Sequence, residues 1–114
     1  MNKQEIEVLK TAKEYIERLI VGINEAVDYI QYGNEKNGIE MIPLIAEGIG
    51  YIIDVISFLH IELGKEKTIE NLNAQLEEII EGIENNDYVL MSDIFKYEIV
   101  PMLEEVKVIL TKMS

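Results

Sequence analysis

A chain of 114 residues that holds no cysteine and sets 22 acidic residues against 10 basic ones, for a net charge of -12, is about one domain's worth of sequence and long enough to bury a core without staples. The missing cysteines exclude a disulfide framework, a thiolate metal site and a cysteine nucleophile. The charge, with no cluster of Lys or Arg to displace counterions, weighs against nucleic acid and against anionic membrane surfaces as partners, while leaving a basic protein as one.

The first helical pattern opens at Asn2, whose side chain can cap the free amides, and Glu5 three residues on completes a capping box. Its seam is Leu9, Ala12, Ile16, Leu19, Ile23, Ala26 and Ile30, alternating three and four, which is the periodicity of a packed helix. Ile20 and Val27 widen that seam on one side. On the other, Tyr15, Gly22 and Tyr29 fall seven apart, so two phenol rings straddle a notch at its edge. Gly33 suits the left-handed residue just past a helix end.

Asn37 with Glu40 reads as the next capping box. Pro43 argues for a late start, because a proline deep inside a helix removes a backbone hydrogen bond and biases Ile42 away from helical geometry. Helix 2 is therefore expected over about 39–64, starting between Gly38 and Pro43. It is the most apolar of the four. Ile42, Ile45, Ile49, Ile52, Ile56, Leu59 and Leu63 form one row, and Met41, Leu44, Gly48, Tyr51, Val55 and Phe58 form a second beside it. Together they cover an arc of roughly 200°, about twice what a surface helix needs. This helix is expected to be the most buried, with neighbours on most sides.

Gly64 is the expected stop and Thr68 the cap of the third helix, whose seam is Ile69, Leu72, Leu76, Ile79 and Ile83, with Ile80 beside it. Its other face is Glu70, Glu77, Glu78, Glu81 and Glu84, a surface that must meet water. Asn85 and Asn86 close it. Asp87 caps helix 4, expected over about 87–112, with Tyr88, Met91, Phe95, Ile99, Met102, Val106, Ile109 and Met113 on the inner face. Pro101 deprives the Tyr97 carbonyl of its donor, so a kink or local opening is expected there. Four helical patterns joined by short turns imply an all-α, antiparallel up-down-up-down four-helix bundle, one domain over 1–114.

The stretch Asn86 to Glu105, with Asp87-Tyr88-Val89-Leu90, Asp93 and then Tyr97-Glu98-Ile99-Val100-Pro101-Met102-Leu103-Glu104-Glu105, resembles a segment of small acidic all-helical proteins of low-GC bacteria. Ile42-Pro43 and Glu47-Gly48-Ile49 with Tyr51 are similar to a second segment of the same uncharacterised family. The resemblance implies a helical domain and attaches no activity to it. In type alone, a small acidic bundle is also similar to the export chaperones of bacterial secretion and flagellar systems.

Residues suited to catalysis are sparse. A di-metal bundle needs inward Glu residues and Glu-x-x-His pairs, whereas the one histidine, His60, has Ser57 at that spacing. It reads as a rim residue near a helix C-terminus. Ser57 and Ser92 lack a base with a supporting acid, and Gly48 and Gly50 lie within a helix, not in a phosphate loop. No enzymatic role, cofactor or metal is expected. Met1 to Glu5 does not resemble a secretory leader. The longest apolar run, Ile49 to Leu63, is broken by Asp54 and His60 and falls short of the ~18 residues of a membrane span, so a cytoplasmic protein is expected.

Helices 2 and 4 carry more apolar surface than a monomeric bundle covers, which is the mark of an association surface. The leading expectation is a non-enzymatic protein-binding bundle, an adaptor or chaperone. Its interaction surface would draw on Leu44, Tyr51, Val55 and Phe58 of helix 2 and on Tyr88, Phe95, Tyr97 and Glu98 of helix 4. One alternative is a homodimer that buries this surface in itself. Another is a receptor for a small apolar ligand, in a cavity lined by Tyr51, Tyr88 and Phe95.

Overall fold

The Asn2–Glu5 pair forms a reciprocal capping box: the Asn2 side chain accepts from the Glu5 amide at 2.8 Å, and the Asn2 amide donates to the Glu5 carboxylate at 3.1 Å. From it runs α1 (Lys3–Gln31) in the computed structural model of the chain, which describes residues 1–63 and 69–114. Four helical rods match the four patterns: α1, α2 (Glu35–Phe58), α3 (Ile69–Glu84), and a last rod of α4 (Tyr88–Ile94), a π-helical turn (Phe95–Ile99) and α5 (Val100–Met113). No strand occurs among the described residues. The molecule is an antiparallel up-down-up-down four-helix bundle. At ~1.5 Å per residue, the 29 residues of α1 account for nearly the whole 46 Å long axis.

α1 packs along α2 and along the last rod, α3 packs on α4, and α3 touches α2 more lightly. The helix on which most others lean is thus α1. A single hydrophobic cluster joins all the rods, with Ile16, Ile23, Ile49, Ile52, Leu72, Ile79, Phe95, Ile99 and Leu110 fully buried in it.

Two boundaries of α2 differ from the sequence-based expectation. The helix begins at Glu35, not between Gly38 and Pro43, and Pro43 lies inside it. Gly38 explains the difference. It is no linker glycine but a buried contact: a Cβ there would stand 2.6 Å from Ile30 Cγ1 and 2.7 Å from the Ala26 carbonyl. The first turns of α2 are pressed onto α1 through Gly38 and the buried Ile42, and that packing outweighs the ~3 kcal/mol a helical proline costs. Pro43 faces outward, so the Ile39 carbonyl one turn earlier loses its donor on the side where water can reach.

The far end comes earlier than Gly64. His60, at φ 53, takes the left-handed position, the Ile61 amide donates to the Ile56 carbonyl at 3.0 Å, and the His60 amide donates to the Ser57 carbonyl at 3.3 Å. The bond from Ile61 back to Ile56 is the long closure of a Schellman ending. The expected stop at Gly64 and cap at Thr68 lie outside the described residues, as does the side chain of Ile69.

The opening expected at Pro101 is the π turn. The Val100 amide donates to the Phe95 carbonyl, five residues back, which widens the helix where an α-turn would drive the proline ring into the Tyr97 carbonyl. The wider turn rotates the rest of the rod about its axis. Beyond it Met102, Leu103, Val106 and Leu110 are buried, so the expected inner residues Met102 and Val106 stay inside, while Ile109 and Met113 are half-buried.

Candidate protein-binding surface

The two flanking rows of α1 and α2 meet. Gly48 is buried beneath Tyr15, and a Cβ there would collide with the Tyr15 hydroxyl and lie 2.8 Å from Leu19 Cδ1. The phenol of one helix therefore rests on the bare backbone of the other. Tyr51, one turn on, meets the Tyr15 ring edge-on, with centroids 5.2 Å apart and planes at 73°, a favoured aromatic geometry. Arg18, the only arginine in the sequence, stands 6.0 Å from the centre of the Tyr15 ring, within cation–π reach.

Beyond this junction the helices leave a groove of about 190 Å³ walled by Tyr15, Arg18, Gly22, Met41 and Leu44, with Leu19 and Ile45 at its floor. Gly22 is the gap in the wall, since nothing lies within 4 Å of where its Cβ would be. Of the Tyr15-Gly22-Tyr29 row only Tyr15 and Gly22 border this groove; Tyr29 lines a separate depression with Glu25, Asp28, Tyr32 and Asn34, so the two phenols do not straddle one notch. The far wall of the groove is Leu44, which is 71% exposed. Partial burial pushes the Tyr51 phenol above its ordinary value of 10.0, and the neighbouring Tyr15 adds to the rise. Tyr51 is therefore a neutral hydrogen-bonding tip beside an apolar channel.

The expected interaction residues divide among three environments. Leu44, the half-buried Tyr51 and the 40% exposed Phe58 succeed one another at seven-residue spacing along the outer side of α2. Val55 and Phe95 do not belong to any surface. They are 2% and 1% exposed: Val55 turns into the core, and Phe95 continues the inward row of Met91 four residues on. Tyr88, Tyr97 and Glu98 lie on the last rod, diagonally across the bundle from α2. Tyr88 is half-buried and donates from its hydroxyl to Asn86 Oδ1 at 2.8 Å; Tyr97 is exposed, with Lys96 Nζ 5.4 Å from its ring centre; Glu98 is in solvent. One continuous surface on helices 2 and 4 is not what the fold presents.

Nor do Tyr51, Tyr88 and Phe95 line one cavity. Tyr51 is level with Tyr15, Tyr88 borders a cavity with Ile30, and those two levels of α1 are about 22 Å apart at the helical rise. Sequence reasoning missed Arg18 and the meeting of Tyr15 with Gly48. The available signal was a phenol on the flank of one seam and a glycine on the flank of the next.

α2 is long and apolar enough, by length and composition, to cross a membrane; in the bundle its Ile42, Ile45, Ile49, Ile52 and Ile56 are buried in the core. No curated protein and no solved structure matches the chain. A family model described as "Domain of unknown function (DUF8042)" matches residues 7–109, a span that takes in the groove and most of every helix. The chain belongs to that family of uncharacterised function.

Proposed function

We propose that this protein is a non-enzymatic, cytosolic binding module of the adaptor or chaperone type, and that the α1/α2 groove takes one amphipathic helix of a partner protein. The observation that carries the reading is the open notch at Gly22 facing the exposed Leu44. A helix laid along the groove would seat apolar residues at i, i+3 or i+4 and i+7 against Met41, Leu44 and Tyr51. Charge indicates the rest of the partner: with -12 on the chain, a partner with basic flanks is steered in, and a second copy of the chain is repelled. Nucleic acid and membrane surfaces are disfavoured on the same ground.

The test is fluorescence anisotropy with two synthetic amphipathic peptides that share one apolar face and differ in lysine or glutamate flanks. The lysine peptide is expected to bind, and Leu44→Asp and Gly22→Leu to weaken it about tenfold or more, as loss of a central apolar contact does. Equal affinity for the wild-type protein and both variants would refute the groove. A concentration-dependent dimer that Leu44→Asp or Phe58→Asp dissociates would favour the homodimer instead.

A further inference from the structure

One charge on the α1/α2 groove runs against the rest of the molecule. Antiparallel packing sets its place: Tyr15 rests on Gly48, so three residues further along α1 and three residues back along α2 bring Arg18 level with Ile45, beside Leu44. Arg18 and Leu44 are therefore the two rims of the groove at its middle. The guanidinium is held 6.0 Å from the centre of the Tyr15 ring, a contact that leaves its in-plane N–H donors unused. Among the described residues no carboxylate pairs with Arg18, and its chain neighbour Glu17 is 3.5 Å from Lys107 Nζ on α5. The rim across the groove is acidic, since Glu40 and Glu47, one turn to either side of Leu44, are both exposed.

We infer, resting on the groove reading above, that the partner helix carries one Asp or Glu on its α1 side, beside the apolar residue that meets Leu44, and its basic residues toward Glu40 and Glu47. A helix that is basic on every side sets a cation against Arg18. A carboxylate there instead accepts two parallel N–H bonds from the guanidinium, whose planar fork, already placed on Tyr15, gives up little freedom in making them. Arg18 thereby selects the direction in which the partner lies. Turned end for end with its apolar face still in the groove, the same helix brings its acid to Glu40 and Glu47 and its bases to Arg18, a like-charge arrangement that disfavours the reversed complex.

The experiment is fluorescence anisotropy with two lysine-flanked amphipathic peptides, identical except for Glu or Gln beside the central apolar residue, titrated with the full chain and with its Arg18→Gln variant. On net charge alone, an added Glu should weaken binding to so acidic a chain. The Glu peptide is nevertheless expected to bind the wild-type protein about threefold more tightly, as for a solvent-accessible ion pair. That lead should vanish in about 1 M salt, where screening shortens to about 3 Å, and Arg18→Gln should reverse the order of the two peptides. If Arg18 only packs on Tyr15, the variant weakens both peptides by one factor and their ratio stays as in the wild type, which overturns the inference. Equal affinity of the two peptides for the wild-type protein overturns it as well and leaves the groove standing. Failure of both peptides to bind overturns the groove and this inference together.

Discussion

His60 is the residue at which local chemistry and local geometry disagree most. A non-glycine side chain in the left-handed region carries a penalty of about 1 kcal/mol or more, and His60 sits there at φ 53, exposed, to end α2. His60→Gly is expected to stabilise the bundle by about 0.5–1 kcal/mol, read as an upward shift of the thermal midpoint; a downward shift would mean that the imidazole makes a contact worth more than the strain. The equivalent positions at the ends of α1 and α3 are Gly33 (φ 95) and Asn86 (φ 54), the two residue types most used just past a helix end. Those two endings were legible in the sequence because their residues signal them. The His60 ending was not, since histidine carries a weaker signal of this kind and Gly64, four residues on, carries a strong one.

Tyr51 makes a prediction of the same scale. Its phenol is raised above 10.0 in the folded state, so just above pH 10 the folded protein holds a proton that the unfolded chain has lost. Stability from this group is complete below pH 10 and falls as pH rises through the folded-state value, because the unfolded chain then binds fewer protons. Denaturant melts between about pH 9 and 11 should show that decline, and Tyr51→Phe should flatten it.

At the scale of elements, the contrast between two glycines tests the α1–α2 packing. Gly22→Ala fills open space in the groove wall and should stabilise by about 1 kcal/mol. Gly48→Ala drives a methyl into the Tyr15 hydroxyl and Leu19 and should destabilise by about 1–3 kcal/mol, the usual cost of overpacking. Urea midpoints of the two variants should therefore move in opposite directions. Local sequence signals foresaw the four rods, the seams of α1 and α2, the Asn2 and Asp87 caps and the opening before Pro101, because those depend on residues close in sequence. It misjudged what depends on a neighbour. Gly38 looks like a linker until α1 is beside it, and Val55 looks like spare apolar surface until the core takes it inward; Phe95, on the inner row by its own rhythm, was wrongly assigned to a surface as well. Phe95→Ala should accordingly cost about 3–5 kcal/mol, whereas Leu44→Ala, on the outer side of α2, should cost about 0.5 kcal/mol or less.

Over the whole molecule, charge and apolar surface act against each other. Leu44, Phe58, Val89 and Tyr97 leave large apolar groups in water, and a net charge of -12 keeps copies apart. Light scattering at low ionic strength should therefore return the 13.1 kDa of a single chain, with any self-association appearing only near 1 M salt, where screening shortens to about 3 Å. The sequence exposed the sign of that charge and the surplus of apolar residues; it did not expose which of them share a face, because α2 and α4 stand diagonally in the bundle and only the fold shows it. The central claim is that the α1/α2 groove receives an amphipathic helix with basic flanks. Amide chemical-shift mapping during titration with the lysine-flanked peptide tests it most directly. The account expects the shifts to cluster at Gly22, Leu44 and Tyr51, and shifts spread instead along Glu70, Glu77, Glu81 and Glu84 on the acidic face of α3 would contradict it.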